Sequence, residues 1–465
     1  MSKPNILFIL VDDMGWGDVS CHDSLIRTPS IDRLMAQGVE LWQHYVQPLC
    51  TPTRAALMTG RYPSRFGPRA TVPGNYPLMP DGYQTIASVL RDVGYDTGLF
   101  GKWHLGATRG SGPNDFGFNY SYGCKTGAAD PYSHGYRSGE FSLPWHRNGE
   151  PINEQGHSTD LIVNEAIEWM ESRTSPWFCY VPFTAVHTPI KSTQRWLDQY
   201  QFEHYDDDPL KDASFKRYAG YASHMDEAVG KMVESLEVTG QRDNTIIIFT
   251  TDNGAIGSNP QHQSDVYPGW QEASPRLGSN LPLRGFKGQL YEGGMRTPTL
   301  VNWRGQLEPG RMDHPVHVSD WMPTLVNLLD IKPANDPKWD GQNIWPLITG
   351  EVTDPEPRDI YWNFRGSQGL CIRSGDWKLT SNSYADEPER SIELFNIGED
   401  PYEENEISSA HPDKVKELIE KIDEQFAGDY IDQRTDLGRY NPDATEGNFA
   451  PRTRKQSRHR DEPNE

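Results

Sequence analysis

The stretch NILFILVDD, residues 5–13, is a continuously apolar strand signal that runs directly into Asp12 and Asp13. Continuous apolar strands are typical of a parallel sheet that helices cover on both faces. A second such strand, TIIIFTT at residues 245–251, precedes Asp252 and Asn253. Strand and helix patterns alternate through most of the chain. This alternation predicts an α/β fold with a large, mostly parallel sheet sandwiched by helices.

The pattern changes after about residue 355. Four short strand signals and one helix signal follow, over residues 360–364, 370–373, 377–380, 392–395 and 412–426. They predict a small antiparallel sheet with one packed helix. We therefore predict a catalytic domain, a small C-terminal α+β subdomain and a polar tail, over residues 1–355, 356–430 and 431–465. The tail has little apolar content, which favours poor order or a segment that wraps the surface.

Composition excludes some classes of partner. The 465 residues carry a net charge of −22, which argues against a general nucleic-acid or anionic-membrane binder. No apolar run approaches the roughly 18 residues needed to span a bilayer. The first strand begins at Asn5, which leaves no room for a signal peptide, and five cysteines are too few for a disulfide framework. We expect a cytoplasmic protein, or a periplasmic or secreted one if a signal was removed.

The segment LCTPTRAALMTG, residues 49–60, reads as a turn that leads into a short helix. Thr51 can serve as the N-cap, with Pro52 at the first helical position. Cys50 would then lie just before a helix N-terminus, where amide donors and the helix dipole favour an anion. Arg54 adds a permanent cation one turn later. A small buried cysteine beside an ordinary capped helix explains the same pattern.

The acidic residues after the two apolar strands indicate a metal site. Because sites in open α/β sheets form at the carboxyl ends of strands, Asp12, Asp13, Asp252 and Asn253 are expected at one edge. Three neighbouring carboxylates repel one another unless a cation lies between them. Oxygen ligands suit Ca²⁺ or Mg²⁺ rather than zinc. Considered separately, Asp12-Asp13 and Asp252-Asn253 are also residues typical of ordinary turns.

Several motifs together resemble the sulfatases, from residue 5 to about residue 426. They are the opening strand with its two aspartates, Cys-x-Pro-x-Arg at 50–54, GYDTGLFGKWHLG at 94–106, AVHTP at 185–189, TTDNG at 250–254, and RGFKG at 284–288 with YEGGMRTP at 291–298. The chain resembles formylglycine-dependent type I sulfatases, which belong to the alkaline phosphatase superfamily. That resemblance implies an alkaline phosphatase-like fold.

The resemblance implies that a maturation enzyme oxidises Cys50 to formylglycine. It also implies a metal, usually Ca²⁺ with Mg²⁺ as the alternative, held by Asp12, Asp13, Asp252, Asn253 and an oxygen of the modified residue 50. The catalytic residues that it implies are Cys50, Arg54, Lys102, His104, His187 and Lys287. In isolation, the lysines would read as surface residues and the histidines as structural ones.

The reaction that the resemblance implies is hydrolysis of a sulfate ester. Lys102 would contact the sulfate, and His104 would orient the residue-50 diol. His187 would protonate the leaving oxygen. Two alternatives stay open at this point. A phosphodiester or phosphonate monoester hydrolase of the same superfamily would use nearly the same residues, and an unmodified Cys50 would favour a non-catalytic binder of sulfated glycans.

Two irregular polar stretches, over residues 107–157 and 255–284, are candidates for substrate recognition. Aromatic side chains stack on sugar rings and polar groups bind hydroxyls, so we predict a sulfated carbohydrate. The first stretch resembles that of the arylsulfatase B group, which acts on sulfated amino sugars. The candidate substrate-binding residues are Asp130, Tyr132, His134, Trp145, His146, Arg147, His262 and Trp270. The sequence does not indicate an oligomeric state.

Overall fold

The protein is described by a computed structural model that covers residues 3–136, 141–259, 273–333, 337–366, 368–382 and 390–430. The predictions made for His262, Trp270 and the tail over 431–465 lie outside these residues. Among the helices of these ranges, none is both long enough and apolar enough to cross a membrane.

Within the described ranges, twelve strands precede residue 318. They are β1 (Asn5–Val11), β2 (Val39–Leu41), β3 (His44–Tyr45), β4 (Asp96–Lys102), β5 (Tyr120–Cys124), β6 (Trp145–Arg147), β7 (Glu150–Pro151), β8 (Trp177–Pro182), β9 (Thr245–Thr251), β10 (Leu300–Asn302), β11 (Gly310–Met312) and β12 (Val316–His317). β3 and β12 pair with each other. The other ten form one sheet in the order β11-β2-β10-β9-β1-β8-β4-β5-β6-β7.

Most of the central pairs in this sheet are parallel. β1 lies between β8 and β9 and is parallel to both, and β4 is parallel to β5 and β8. β10 is antiparallel to both neighbours, and β6 and β7 add an antiparallel edge. Each β1 side chain is buried, as expected for a strand covered on both faces.

Helices cover both faces of the sheet, which confirms the predicted architecture. The helices are α1 (Pro29–Ala36), α2 (Cys50–Thr59), α3 (Ile86–Asp92), α4 (Ser158–Glu171), α5 (Gln194–Leu197), α6 (Pro209–Val238), α7 (Glu292–Met295), α8 (Trp321–Leu328), α9 (Trp345–Ile348) and α10 (Pro412–Phe426). Leu7 and Ile9 of β1 pack with α1, α4 and α6. Phe8 and Leu10 point the other way and pack with α2, α3 and α8.

A second, four-stranded sheet follows. Its strands are β13 (Asp359–Phe364), β14 (Gly369–Ser374), β15 (Trp377–Asn382) and β16 (Ser391–Asn396), antiparallel in chain order. Leu418 and Ile422 of α10 are buried against this sheet, together with Leu379 and Leu394. The predicted antiparallel sheet with one packed helix is therefore confirmed. The domain boundary near residue 355 stays a prediction.

Two details differ from the sequence analysis. Residues 107–157 contain β5, β6 and β7. The sequence does not reveal them because β6 and β7 span only three and two residues, and because β5 contains Ser121 and Gly123. The prediction that Thr51 caps α2 is wrong, since α2 already begins at Cys50 and Leu49 is its N-cap. The Thr51 hydroxyl donates to the His104 carbonyl oxygen instead, over 3.2 Å.

Candidate active site

Cys50 is the first residue of α2 and is only 2% exposed. Its Sγ lies 3.5 Å from Asp12 Oδ1, at the carboxyl end of β1. The amide groups of the first helical turn have no partner inside the helix, and they favour a negative charge at this position. Residue 50 therefore lies where the helix N-terminus meets the edge of the sheet.

The parallel register of β1 and β9 brings four predicted residues together. Val11 pairs with Thr251, so the residues that follow both strands emerge side by side at one edge. The Asp13 amide donates to Asp252 Oδ1 over 3.3 Å, and Asn253 Nδ2 donates to Asp13 Oδ1 over 2.7 Å. The four residues are all buried: Asp12, Asp13, Asp252 and Asn253.

Each carboxylate of this group pairs with a cation from a different part of the chain. The distances are 2.7 Å from Lys102 Nζ to Asp12 Oδ2, 2.7 Å from Arg54 Nη2 to Asp252 Oδ2, and 2.6 Å from Lys287 Nζ to Asp13 Oδ1. Arg54 Nη1 also donates to the Lys102 carbonyl oxygen over 2.8 Å. Buried charges persist only when they are paired, so these contacts hold the site together.

The electrostatic environment gives neighbouring groups of the site different pKa values. Burial and the Asp252 charge raise the pKa of Asp12 to about 7. Burial also opposes ionisation of Asp13, but the charges of Lys287 and His187 outweigh it and lower the Asp13 pKa to about 2. The pKa of the Cys50 thiol is raised by burial and by Asp252, so this thiol stays protonated at neutral pH.

The oxygen atoms at this edge fit a hard cation. One ligand atom each from Asp12, Asp13, Cys50 and His187 lies within 4.8 Å of the others. Asn253 Oδ1 is buried and, among the described residues, has no hydrogen-bond partner. A buried amide oxygen beside two carboxylates provides the donor set that Ca²⁺ or Mg²⁺ prefers. His187 approaches this group although the sequence did not predict it as a ligand.

The two predicted catalytic histidines have different surroundings. The His104 ring packs on Gly127, where an added Cβ would lie 2.5 Å from Nε2, and its pKa is lowered by burial and by Lys102. His187 Nδ1 lies 2.6 Å from the Thr188 carbonyl oxygen, and its Nε2 lies 3.7 Å from Asp13 Oδ2. Burial lowers the His187 pKa to about 3, against the opposing effect of Asp13.

The candidates for substrate binding lie around β6, at the edge of the sheet. Trp145 is 2% exposed, and its ring packs edge-on against Tyr122 with the centroids 5.4 Å apart. The His134 ring stacks on Trp145, and His134 Nε2 lies 3.1 Å from the Gly156 carbonyl oxygen. Both side chains are therefore engaged within the protein.

The other candidates are also held by protein groups. Asp130 accepts two backbone hydrogen bonds from its own turn and forms an ion pair with Lys191. His146 Nδ1 accepts from the backbone of a neighbouring turn, and Arg147 Nη2 lies 2.8 Å from Glu165 Oε2. The sixth described candidate, Tyr132, is 46% exposed. A role in substrate binding stays a prediction for all six.

Sequence reasoning missed a buried support beneath the metal-ligand candidates. Asp18 Oδ2 accepts from the Gly15 amide over 2.8 Å and from Tyr218 Oη over 2.7 Å. Tyr218 Oη also lies 3.3 Å from the Asp13 carbonyl oxygen. Asp18 lies shortly after the opening strand and its two aspartates, and this position was a usable signal. Tyr218 lies on α6, 200 residues later in the chain, and no local pattern marks it.

A helix N-terminus, three cations and a set of hard oxygen donors form a site that is suited to an anion beside a metal ion. Residues 4–331 match the family model "Sulfatase". The chain is 32% identical to mouse (Mus musculus) arylsulfatase J, across 90% of this chain and 75% of that protein. It therefore belongs to the sulfatase family and is a sulfuric ester hydrolase.

Two further comparisons extend this result. Human (Homo sapiens) N-acetylgalactosamine-6-sulfatase is 29% identical, across 90% of this chain and 84% of that protein. The crystal structure of Ps i-CgsB in complex with k-i-k-neocarrahexaose is 29% identical, with a TM-score of 0.77, and the match covers 92% of this chain and 94% of that one. The similarity therefore includes the C-terminal sheet as well as the large one.

Proposed function

We propose that this enzyme hydrolyses a sulfate ester on a carbohydrate, with formylglycine formed from Cys50 and a bound Ca²⁺ ion. The observation that carries the proposal is the position of residue 50, at the start of α2 and 3.5 Å from Asp12. The carbohydrate substrate is supported by the relatives, which include an enzyme named for N-acetylgalactosamine 6-sulfate and a structure that holds an oligosaccharide.

The unmodified thiol is poorly suited to attack sulfur. The thiolate is the nucleophilic form of cysteine, and burial beside acidic groups raises the Cys50 pKa. A hydrated formylglycine supplies one hydroxyl for attack on sulfur and a second that lets the sulfate depart. Because Cys50 and the rest of α2 are buried, we infer that the maturation enzyme acts before the chain folds.

The cations of the site would bind the sulfate group. Lys102 donates a hydrogen bond to Asp12, and Lys287 donates one to Asp13. A hard cation held by the two N-terminal aspartates, Asp252 and Asn253 would add charge that polarises the sulfate oxygens. Ca²⁺ suits this irregular oxygen set, and Mg²⁺ is the alternative. Preorganised charges of this kind stabilise the charge that develops on the transferring group.

His187 is suited to protonate the leaving oxygen, and His104 to orient residue 50. Neutral His187 carries its proton on Nδ1, which donates to the Thr188 carbonyl oxygen. A proton on Nε2 therefore requires the imidazolium form. The pKa of His187 is low because the site is buried. An anionic substrate beside Nε2 favours the charged form and raises that pKa. Substrate binding would therefore promote protonation of Nε2.

Sulfate esters should be the preferred substrates. We expect turnover of an aryl sulfate and of at least one member of a panel of defined sulfated saccharides, measured by sulfate release. An aryl phosphodiester and an aryl phosphonate monoester should react more slowly. Preference for either phosphorus ester would favour the alternative hydrolase, and failure on every saccharide with good aryl sulfate turnover would contradict the carbohydrate assignment.

Modification of Cys50 should be required for activity. In protein from a host that contains the maturation enzyme, mass spectrometry should show the residue-50 peptide as the aldehyde, lighter than the cysteine form. Cys50→Ala should lose activity by at least about 10³-fold, since it removes the nucleophile itself. The control is Cys179→Ala, which alters a buried cysteine of β8 and should retain the aldehyde. Full activity with residue 50 still a thiol would refute this part of the proposal.

The Asn253 amide oxygen should contribute to metal affinity. After removal of metal with a chelator, activity should return with Ca²⁺. Asn253→Ala should raise the Ca²⁺ concentration for half-maximal activity by at least about tenfold. Loss of a residue that only hydrogen-bonds to a metal ligand already lowers metal affinity by about that factor. Thr250→Val, a buried change on β9 whose hydroxyl bonds to Thr299, is the matched control. An equal Ca²⁺ requirement in both variants would exclude Asn253 as a ligand.

Loss of His187 should matter most for poor leaving groups. A sugar alkoxide needs a proton in order to depart, whereas a nitrophenolate does not. We expect His187→Ala to lower kcat on a saccharide sulfate by about 10²-fold or more, and to lower kcat on nitrophenyl sulfate much less. The comparison of two substrates in one variant controls for damage to the fold. Equal losses on both substrates would show that His187 is not the proton donor.

A further inference from the structure

The loop that carries Lys287 is held at both ends by one residue of the C-terminal region. The Gly293 amide donates to the Arg284 carbonyl oxygen over 2.7 Å, which closes a loop over residues 284–293. Glu403, which follows β16, contacts both ends of this loop. Its carbonyl oxygen accepts from Arg284 Nη1 over 3.1 Å, and its Oε2 accepts from the Glu292 amide over 2.7 Å.

A lysine of the small sheet completes this contact. Lys378 Nζ, on β15, lies 2.9 Å from Glu292 Oε1 and 2.8 Å from Glu403 Oε1. The side chains of all three are fully buried. Tyr45 Oη donates to Glu292 Oε2 over 2.7 Å. We call Glu292, Lys378 and Glu403 the buried triad. Because these groups have no access to water, loss of Lys378 would leave two buried carboxylates without the cation that both contact.

The same loop reaches the carboxylate group on its other side. The Lys287 amide donates to the Ala255 carbonyl oxygen over 3.0 Å, while Lys287 Nζ contacts Asp13. The Gly254 amide, next to Asn253, donates to the Gly294 carbonyl oxygen over 3.2 Å. An added Cβ at Gly254 would lie 1.8 Å from the Gly293 carbonyl oxygen, so these segments pack without spare room. A shift of Glu292 would therefore displace the Lys287 loop.

We propose that Lys378 and Glu403 are positioning residues, through which the C-terminal sheet sets the location of Lys287 in the active site. The inference rests on the proposed contact of Lys287 with the sulfate group. The small sheet thus takes part in catalysis without touching the substrate. A purely structural role would instead lower the stability of the protein and leave the folded enzyme unaltered.

A double-mutant cycle separates these two roles. Lys378→Met and Glu403→Gln are each combined with Lys287→Met, and kcat/KM for an aryl sulfate is measured well below the thermal midpoint of every variant. Glu403→Gln removes the charge but keeps an oxygen that can accept from the Glu292 amide, so it tests the proposal if Lys378→Met does not fold. Thr380→Val is the matched control, because Thr380 is buried on the same strand, two residues from Lys378.

Each single variant of the triad should lower kcat/KM by about 3- to 30-fold, the range of measured couplings between connected sites. In the Lys287→Met background the same changes should have almost no further effect. Inhibition by inorganic sulfate should weaken by a similar factor in the single variants. Thr380→Val should stay within about twofold of the parent enzyme.

If the fold losses in kcat/KM multiply in the double variants, the triad acts independently of Lys287. This outcome would overturn the inference and leave the proposed function intact. Unchanged kcat/KM in Glu403→Gln would overturn it too. Full activity of Lys287→Met would remove the proposed sulfate contact and with it the inference. These results differ from one another, so failure of the inference can be told from failure of the proposed function.

Discussion

The structure depends on the pairing of three buried carboxylates with three cations at one edge of the sheet. Asp252 pairs with Arg54, while Lys102 and Lys287 hold the two N-terminal aspartates. Each cation comes from a different segment, so the pairing is possible only when α2, β4 and the loop after β9 are all in place. An unpaired charge here would be strongly destabilising, which makes assembly of the site and folding of the domain one requirement.

The same pairing prepares the site for its chemistry. The cations neutralise acidic groups in the resting protein, and they lie where an anionic ester could also contact them. Two adjacent aspartates have pKa values shifted in opposite directions. Burial dominates at Asp12 and raises its pKa, whereas at Asp13 the effect of burial is outweighed by the charges of Lys287 and His187, which lower its pKa. Charges held in place in this way stabilise a transition state more than solvent does.

Local patterns in the sequence predicted much of the fold. The apolar strands, the change of pattern near residue 355 and the final helix were all visible, because each is encoded by a short period or a turn signal. The strands β5 to β7 were not, since β6 and β7 span only three and two residues and β5 contains Ser121 and Gly123. The N-terminus of α2 was misplaced because Thr51 donates to a distant carbonyl oxygen, a partner that the local sequence does not reveal.

By itself, the sequence determined which residues meet at the candidate site: a motif cysteine at a helix start, and acidic pairs after two apolar strands that parallel pairing must bring together. Only the tertiary structure decided which cation meets which carboxylate, that Trp145 lies inside the core, and that Lys378 reaches the loop of Lys287. The reason is physical. Strand and helix signals arise from neighbours in the chain, whereas the pairing of buried charges depends on which distant segments exclude water together.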